Sequence, residues 1–415
     1  MNKGAVMEDL KKLKNYAKLA VEIGANLQKG QPAMIISLVE TADFARMLAE
    51  CAYEAGASNV IIYWRDEKLA RLKLQYESKE TLAEVPAWQK LLEDTYVEKD
   101  ACFIYVSAED PCALQGLDME KVTIYKNAMN QVAEKRREAL MNSENTWTIV
   151  SVPSQAWAEQ VFAPETGKKA MELLWDAIFK VTRMNEADPI QAWRQHIRTL
   201  GQKADELNTH NFKYLRYKSS NGTDLTIELP EGHIWLAAAE KSRKGIDFVA
   251  NMPTEEVFTL PRRDGVNGIV YSSKPLVYLG NVIDEFYIEF KDGAVARYDA
   301  KVGREVLKSL IEADEGSNRL GEVALVPYDS PISNSNILFY NTLYDENASC
   351  HLALGKAYPT TVKGGDGADE EQLKALGANV SAEHSDFMVG TKDLEIVGET
   401  HDGRLIPVFK NGNWA

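Results

Sequence analysis

Four short apolar runs alternate with helical patterns across residues 1–185, and this alternation restricts the fold more than any other feature of the sequence. The runs have the length of buried strands and occupy 33–38, 59–64, 101–107 and 147–152. After the first run, Phe44, Met47 and Cys51 recur at helical spacings of three and four. Strands that alternate with helices imply crossover connections and a parallel sheet. We therefore predict an α/β domain over residues 1–185 with a parallel, doubly wound sheet.

The pattern changes in the second half of the chain. A polar break at 186–189 precedes a long helical stripe that includes Ile190, Trp193 and Ile197, which predicts a connector helix. Beyond this helix, apolar residues alternate with polar ones after Asn221-Gly222, and two further apolar runs flank Asp292-Gly293; both dipeptides are typical of β-hairpins. We predict an α+β domain over residues 186–415 that begins with the connector helix.

Charge and hydropathy exclude several classes of partner. The chain has 47 Lys and Arg against 62 Asp and Glu, a formal net charge of -15. Such an acidic balance disfavours nucleic acid and anionic membrane surfaces. No apolar run approaches the ~20 residues that a membrane-spanning helix needs, and the charged residues 1–14 do not resemble a signal peptide. We expect a cytoplasmic protein without a nucleic-acid or membrane partner.

The four cysteines do not suggest a disulfide framework or a metal-binding pair. No two of them have C-x-x-C spacing, which favours reduced and mostly buried thiols. The cysteines are Cys51, Cys102, Cys112 and Cys350. Cys350 precedes His351, but neighbours in sequence seldom form a nucleophile–base pair. We therefore do not predict cysteine-dependent catalysis.

A nucleotide-binding role for the first domain has little support. Doubly wound sheets often bind nucleotides at the carboxyl ends of their strands. However, no G-x-G-x-x-G or Walker loop follows any of the predicted strands. Scaffolding, substrate gating or dimer contacts are the roles that we predict for this domain.

The segment 341–358 concentrates chemistry in the second half. Asp345, Glu346 and His351 fall within seven residues of each other, among aromatic and aliphatic neighbours. Burying carboxylates and an imidazole is costly unless they are paired or bind a metal ion. One such cluster has too few ligands for a metal centre, so the hypothesis requires partners elsewhere in the chain.

Three other segments offer such partners. Glu255 and Glu256 follow Pro253, and because adjacent residues of extended chain point to opposite sides, one of them can ligate while the other faces elsewhere. Glu322 interrupts an apolar run, so it should be buried and in need of a cation. His384 and Asp386 form the last segment.

Simpler interpretations exist for most of these residues. His351 or His384, taken alone, is more often a structural or surface histidine, and Glu255 with Glu256 is equally well interpreted as a solvated acidic pair. His401 and Asp402 have the same local form as His384 and Asp386, but they lie in a polar stretch and are interpreted as a solvated turn. Taken together, the set is rich in oxygen and nitrogen donors, which suits zinc, manganese, cobalt or magnesium. Five or six ligands exceed one tetrahedral zinc ion and suit two ions about 3.5–4 Å apart with a bridging carboxylate.

Several segments resemble the aminopeptidase T family of metalloaminopeptidases, and the resemblance extends over essentially the whole chain. These segments are 251–259, 321–326, 344–355, 384–388 and 407–414. It implies an N-terminal α/β domain, a C-terminal catalytic domain, homodimers and activation by cobalt, zinc, magnesium or manganese. The resemblance also implies that Glu322 bridges the two ions and that Tyr358 is the catalytic tyrosine. The metal ligands that it implies are Glu256, Glu322, Glu346, His351, His384 and Asp386.

The leading hypothesis is therefore an aminopeptidase that removes N-terminal residues from peptides with a metal-bridged water or hydroxide. In it, Tyr358 donates a hydrogen bond to the developing oxyanion, and Glu255, if it points inward, is the general base. One alternative is a two-metal hydrolase of another ester or amide bond. Another is a non-catalytic peptide-binding protein with a structural metal. Hydrolysis of leucyl and phosphate-ester chromogenic substrates, with and without metal, distinguishes the three.

Overall fold

The computed structural model describes residues 3–278 and 281–415, and the chain divides into two compact units. The first comprises Met1–His196 and Ala239–Pro253, and the second comprises Ile197–Ala238 and Thr254–Ala415. The predicted connector helix contributes residues to both units. In the part of the chain that the structure describes, no helix has the length and apolar character needed to cross a membrane.

A four-stranded parallel sheet forms the centre of the first unit, as the alternating pattern predicts. Its strands are β1 Pro32–Leu38, β2 Asn59–Arg65, β3 Cys102–Ser107 and β4 Trp147–Ser151. Their order is β2-β1-β3-β4, and every neighbouring pair is parallel. The chain therefore moves from β2 past β1 to β3, which is the reversal found in doubly wound sheets. β1 and β3 are almost completely buried, which accounts for their continuous apolar sequence.

Helices connect the strands of the first unit. In the helix Ala42–Glu54, the predicted apolar positions Phe44 and Cys51 are buried and Met47 is half-buried, so the helical spacing identifies the face that packs. A π-helical turn at Ala20–Gly24 continues α1. The helices are α1 Lys3–Leu19, α2 Ala42–Glu54, α3 Glu67–Tyr76, α4 Lys79–Ala83, α5 Ala87–Glu98, α6 Met119–Val132, α7 Glu134–Met141, α8 Gln155–Val161, α9 Gly167–Val181 and α10 Pro189–His210.

The remaining elements are mostly antiparallel strands. The strands are β5 Phe212–Lys218, β6 Asp224–Glu228, β7 Leu236–Ala237, β8 Glu240–Lys241, β9 Asp247–Phe248, β10 Val257–Thr259, β11 Val266–Tyr271, β12 Leu276–Tyr278, β13 Asn281–Lys291, β14 Ala294–Val302, β15 Leu320–Leu325, β16 His351–Gly355, β17 His384–Met388, β18 Glu395–Thr400, β19 Leu405–Lys410 and β20 Asn413–Trp414. The helices are α11 Arg304–Ile311, α12 Thr342–Asp345 and α13 Glu370–Ala375. Of these elements, only the short pair β8 and β9 belongs to the first unit.

Both predicted hairpins are present in the larger sheet of the second unit. β5 pairs with β6, and β13 pairs with β14, each in antiparallel register. Asp292 and Gly293 both have positive φ, at 50° and 79°, as a tight turn between right-twisted strands requires. A Cβ atom at residue 293 would lie 2.0 Å from the carbonyl oxygen of Arg263, so only glycine fits this turn.

A second sheet of this unit carries four of the six predicted ligands, which are Glu322, His351, His384 and Asp386. Its strand order is β17-β16-β15-β10-β7, and all pairings are antiparallel. Every residue of β15 and β16 is buried. The apolar side chains of these strands, such as Val323, Leu325 and Leu352, join the main hydrophobic core of the unit.

Candidate metal centre

Strand register places four candidate side chains, those of Glu322, His351, His384 and Asp386, on one face of the five-stranded sheet. Glu322 on β15 pairs with Ala353 on β16, which in turn pairs with Asp386 on β17. Ala324 likewise pairs with His351, and Gly355 with His384. Directly paired residues of antiparallel strands project to the same face. Because alanine or glycine separates the larger side chains, space remains between them above the sheet.

The side chains form two groups that share one residue. Nε2 of His351 lies 3.1 Å from Oε2 of Glu256 and 3.6 Å from Oε1 of Glu322. Nε2 of His384 lies 3.5 Å from Oε2 of Glu322 and 3.4 Å from Oδ1 of Asp386. Within each group, the potential ligand atoms all lie within 4.8 Å of one another. The two oxygen atoms of Glu322 therefore face different histidines.

Backbone carbonyl groups fix which nitrogen of each histidine faces the carboxylates. Nδ1 of His384 is 2.8 Å from the oxygen of Lys356, and Nδ1 of His351 is 3.3 Å from the oxygen of Ser349. A carbonyl oxygen can only accept a hydrogen bond, so Nδ1 carries a proton in both rings. Nε2 is thus the atom that each ring presents to the cluster, which is the usual arrangement of histidines that bind metals.

The electrostatics of the cluster show an excess of buried negative charge. Burial raises the pKa of Glu322, and the nearby charges of Asp386 and Glu256 add to the effect. Removal from water, followed by repulsion from Asp386 and Glu256, raises the pKa of Glu346 well above its usual range. Burial lowers the pKa of His384, but the charge and hydrogen bond of Asp386 and the charge of Glu322 together outweigh burial and raise the pKa to about 10. Without a bound cation, these pKa shifts therefore favour the protonated forms of Glu322, Glu346 and His384.

Divalent cations fit this donor set. The oxygen atoms of Glu256, Glu322 and Asp386 and the Nε2 atoms of two histidines are hard or borderline donors, as such ions require. Oδ1 of Asp386 is buried and accepts no well-oriented hydrogen bond among the described residues. A cation would satisfy this oxygen and offset the charge of the carboxylates.

Glu346 and Glu255 belong to neither of the two groups. Glu346 directly follows α12 and interacts electrostatically with the clustered carboxylates and with His351. Glu255 is only 4% exposed, and its backbone N–H donates a 2.7 Å hydrogen bond to Oδ1 of Asn347. Nδ2 of Asn347 also donates to the carbonyl oxygen of Leu343, at 3.2 Å.

Asn347 is a positioning residue that sequence reasoning missed. It is completely buried, and it joins the backbone of Glu255 to the segment that carries Glu346. The only trace of this role in the sequence is an amide placed directly after Glu346 in a segment that should be buried.

Tyr358 reaches the cluster from the loop after β16. Its ring packs edge-on against the rings of His384 and Phe258, with centroids 5.2 Å and 5.8 Å away. The residue is 37% exposed, so it lies at the boundary between the cluster and solvent. Desolvation, together with the charges of Glu322 and Asp386, raises the pKa of Tyr358 well above its usual range. The hydroxyl group therefore remains protonated at neutral pH and is able to donate a hydrogen bond.

Two residues of the segment 341–358 have structural roles. The carboxylate of Asp345 accepts hydrogen bonds from the backbone N–H groups of Phe339 and Asn341, at 2.8 Å and 3.0 Å. Burial raises the pKa of Cys350 to about 12, and its sulfur contacts the backbone of Val326. A thiol in this environment is a poor nucleophile.

His401 is exposed in a turn, as its polar surroundings predict.

The chain is similar to known proteins over almost its whole length. Residues 9–414 match the family described as thermophilic metalloprotease (M29). The chain is 46% identical to aminopeptidase AmpS of Bacillus subtilis, with 97% of this chain and 98% of the relative covered. It is 38% identical to aminopeptidase T of Thermus aquaticus, with 99% of each covered. The structure of wild-type AmpT from Thermus thermophilus superimposes with a TM-score of 0.92 at 38% identity, covering 98% of this chain and 99% of that one.

The fold is that of the aminopeptidase AmpT, and the chain belongs to the M29 family of thermophilic metalloproteases. Its activity is that of a metal-dependent aminopeptidase. Among the hypotheses drawn from the sequence, this finding confirms the first.

Proposed function

We propose that this aminopeptidase binds two divalent cations, with Glu322 as the ligand common to both. Glu256 and His351 would complete one site, and His384 and Asp386 the other. Glu346, which interacts electrostatically with both groups, would be the sixth ligand. The observation that carries the proposal is that the two oxygens of Glu322 face different histidines, at 3.6 Å and 3.5 Å.

The residues of the chain prepare the site for peptide hydrolysis. When bound, divalent cations would acidify a water molecule and polarise the scissile carbonyl group. The carbonyl groups of Lys356 and Ser349 hold the histidine rings so that Nε2 faces the cluster. Tyr358 donates a hydrogen bond to the oxyanion of the tetrahedral intermediate, because its hydroxyl group remains protonated.

The general base in this proposal is Glu255. Its carboxylate belongs to neither ligand group, although the residue is buried and directly precedes the ligand Glu256. Asn347 fixes the backbone at Glu255 and thereby limits where its side chain can move. In this proposal, the carboxylate next in sequence to the ligand Glu256 accepts the proton of the attacking water. The Glu255→Gln variant should keep its metal content and lose activity.

The donor set also narrows the metal. Oxygen and imidazole nitrogen donors without a thiolate suit zinc, cobalt, manganese or magnesium. Cys350 is the cysteine nearest in sequence to the cluster, and its sulfur contacts the backbone of Val326 instead. Activity after chelation and re-addition of each ion would rank the four metals.

The proposed roles of the two units, the location of the enzyme and its oligomeric state rest on the resemblance to the aminopeptidase T family. In this proposal, the first unit is a doubly wound scaffold that contributes gating and dimer contacts, and the second is the catalytic domain. The enzyme is cytoplasmic, which agrees with its four free cysteines. It works on peptides as a homodimer. Light scattering that gives the monomer mass of 46.4 kDa at micromolar concentration would contradict the dimer.

Metal analysis of a Glu322→Gln variant tests the shared ligand. The wild type should bind two ions per chain, and Glu322→Gln should bind at most one and lose activity on leucyl p-nitroanilide. Glu312→Gln is the matched control, because Glu312 is exposed in the same unit and outside both ligand groups. A wild type that is fully active with a single ion at saturation would overturn the two-cation proposal, but not the peptidase activity.

A further inference from the structure

A small pocket opens beside the metal centre within the second unit. It has a volume of about 70 Å³, and Glu346 and Asp386 lie in its wall. Apolar side chains from two strands, including Val277 of β12 and Met388 of β17, form another part of the wall. Thr342, at the start of α12, lies at the exposed rim. The pocket thus has an apolar side formed by Leu276, Val277 and Met388, and it is acidic where it meets the centre.

The position of the pocket relates it to the scissile bond. Asp386 belongs both to the pocket wall and to one of the two ligand groups. Met388 follows Asp386 by two residues on β17, so both side chains project from the same face of the sheet. Met388 also pairs directly with His351. A substrate whose scissile carbonyl group lies at the centre therefore has its N-terminal side chain within reach of this pocket.

The walls of the pocket are held in place by hydrogen bonds. The carboxylate of Asp345 accepts backbone N–H groups on both sides of Tyr340, whose φ is +54°. The side chain of Asn341 accepts the N–H of Leu343 at 3.1 Å and caps α12. On the other side, Val277 is paired with Val282 of β13. Walls fixed in this way select side chains by size and shape.

The volume sets the size of side chain that fits. A single water molecule requires roughly 10–15 Å³ of such volume, so about 70 Å³ holds a group of several heavy atoms. The four heavy atoms of a leucyl or methionyl side chain match this space, whereas an indole ring exceeds it. The apolar side of the pocket, with Val277 and Met388, also favours aliphatic groups over charged ones.

Resting on the proposed aminopeptidase function, we infer that this pocket receives the side chain of the N-terminal residue of the substrate. Val277 and Met388 determine the preference, which is for aliphatic residues of the size of leucine and methionine.

Substrate selectivity of two Val277 variants tests this inference. Val277 is half-buried on an edge strand, so the fold has room to accept a change there. In Val277→Phe, which fills the pocket, kcat/KM for leucyl p-nitroanilide should fall by about tenfold or more relative to the alanyl substrate. In Val277→Ala, which enlarges the pocket, kcat/KM for the phenylalanyl substrate should rise several-fold relative to the leucyl substrate.

The control is Val302→Phe, the same substitution at a half-exposed position on β14 that does not line the pocket. Its ratios should stay within about twofold of the wild type. Metal content and melting temperature are measured for each variant, and Val277→Ala decides the question if Val277→Phe does not fold. Unchanged ratios, or an equal loss on all three substrates, in metal-loaded variants would overturn this inference alone. A metal-loaded wild type that is inactive on all three substrates would instead overturn the proposed function and this inference with it.

Discussion

Replacing Tyr358 by phenylalanine distinguishes a catalytic role of the hydroxyl group from a packing role of the ring. Phenylalanine keeps the ring contacts with His384 and Phe258, whose centroids lie 5.2 Å and 5.8 Å away. The residue is 37% exposed, so loss of the hydroxyl group should change the free energy of unfolding by only about 0.5 kcal/mol. None of the ligand atoms in the two groups belongs to Tyr358, so metal content should not change.

The expected effect on turnover is much larger. An oxyanion donor acts mainly in the transition state, and removing one typically lowers kcat by about 10²–10³-fold, or ~3–4 kcal/mol. KM should change little, because the hydrogen bond is weak in the ground state. The assay is steady-state kinetics on leucyl p-nitroanilide, together with metal analysis and melting temperature.

Tyr287→Phe is the matched control for this experiment. Tyr287 is half-buried and packs on the ring of Tyr271 in the same unit, and it is not part of the metal centre. Its loss of a hydroxyl group should leave kcat unchanged. A Tyr358→Phe enzyme with two bound ions and normal kcat would remove Tyr358 from the mechanism. A loss of kcat that parallels a loss of metal would show a structural role instead.

Three further predictions concern packing, reactivity and pH. Ala353 lies between Glu322 and Asp386 and is fully buried. Ala353→Val should therefore lower the metal content, measured by metal analysis, and cost about 1–3 kcal/mol of stability, measured by denaturant unfolding. Full metal loading of this variant would contradict the prediction. Cys350→Ala should retain kcat and lose about 1 kcal/mol of stability, since its sulfur only packs and bonds to backbone; loss of kcat at normal metal content would refute this. Desolvation raises the pKa of Glu67 from the ordinary 4.5 to about 7, so ionisation of Glu67 destabilises the native state as pH rises through this range. Glu67→Gln should therefore exceed the wild type in stability by about 1 kcal/mol at pH 8 and match it near pH 4, as thermal unfolding would test; no gain at pH 8 would refute the argument.

Much of the fold follows from local patterns. The four parallel strands begin and end within two residues of their predicted positions, because each is a short apolar run between polar breaks. Both hairpins occur where Asn221-Gly222 and Asp292-Gly293 predict them, since Gly222, Asp292 and Gly293 have the positive φ that glycine and aspartate accept more readily than most residues. By contrast, the segment Ala239–Pro253 groups with the first unit, and no local pattern in the sequence indicates this.

The sequence by itself predicted the kinds of ligand and the residues that would supply them. Glu322 within an apolar run, and His351 close to Glu346, already required a cation or a buried partner, because the cost of burying charge depends on residue type alone. The resemblance of several segments to one family then indicated the chemistry. Side-chain preference could not be predicted in this way, because the shape of the pocket beside Asp386 comes from segments far apart in the chain.

Only the tertiary structure decided how these ligands meet. The antiparallel register of β15, β16 and β17 directs the two oxygens of Glu322 toward different histidines. The histidine tautomers depend on two backbone carbonyl groups, and the position of Glu255 depends on Asn347. Pairing between distant strands fixes all of these contacts, and a shift of one residue in register would turn the ligands to the opposite face. Register is a property of the assembled sheet, so composition and local spacing do not contain it.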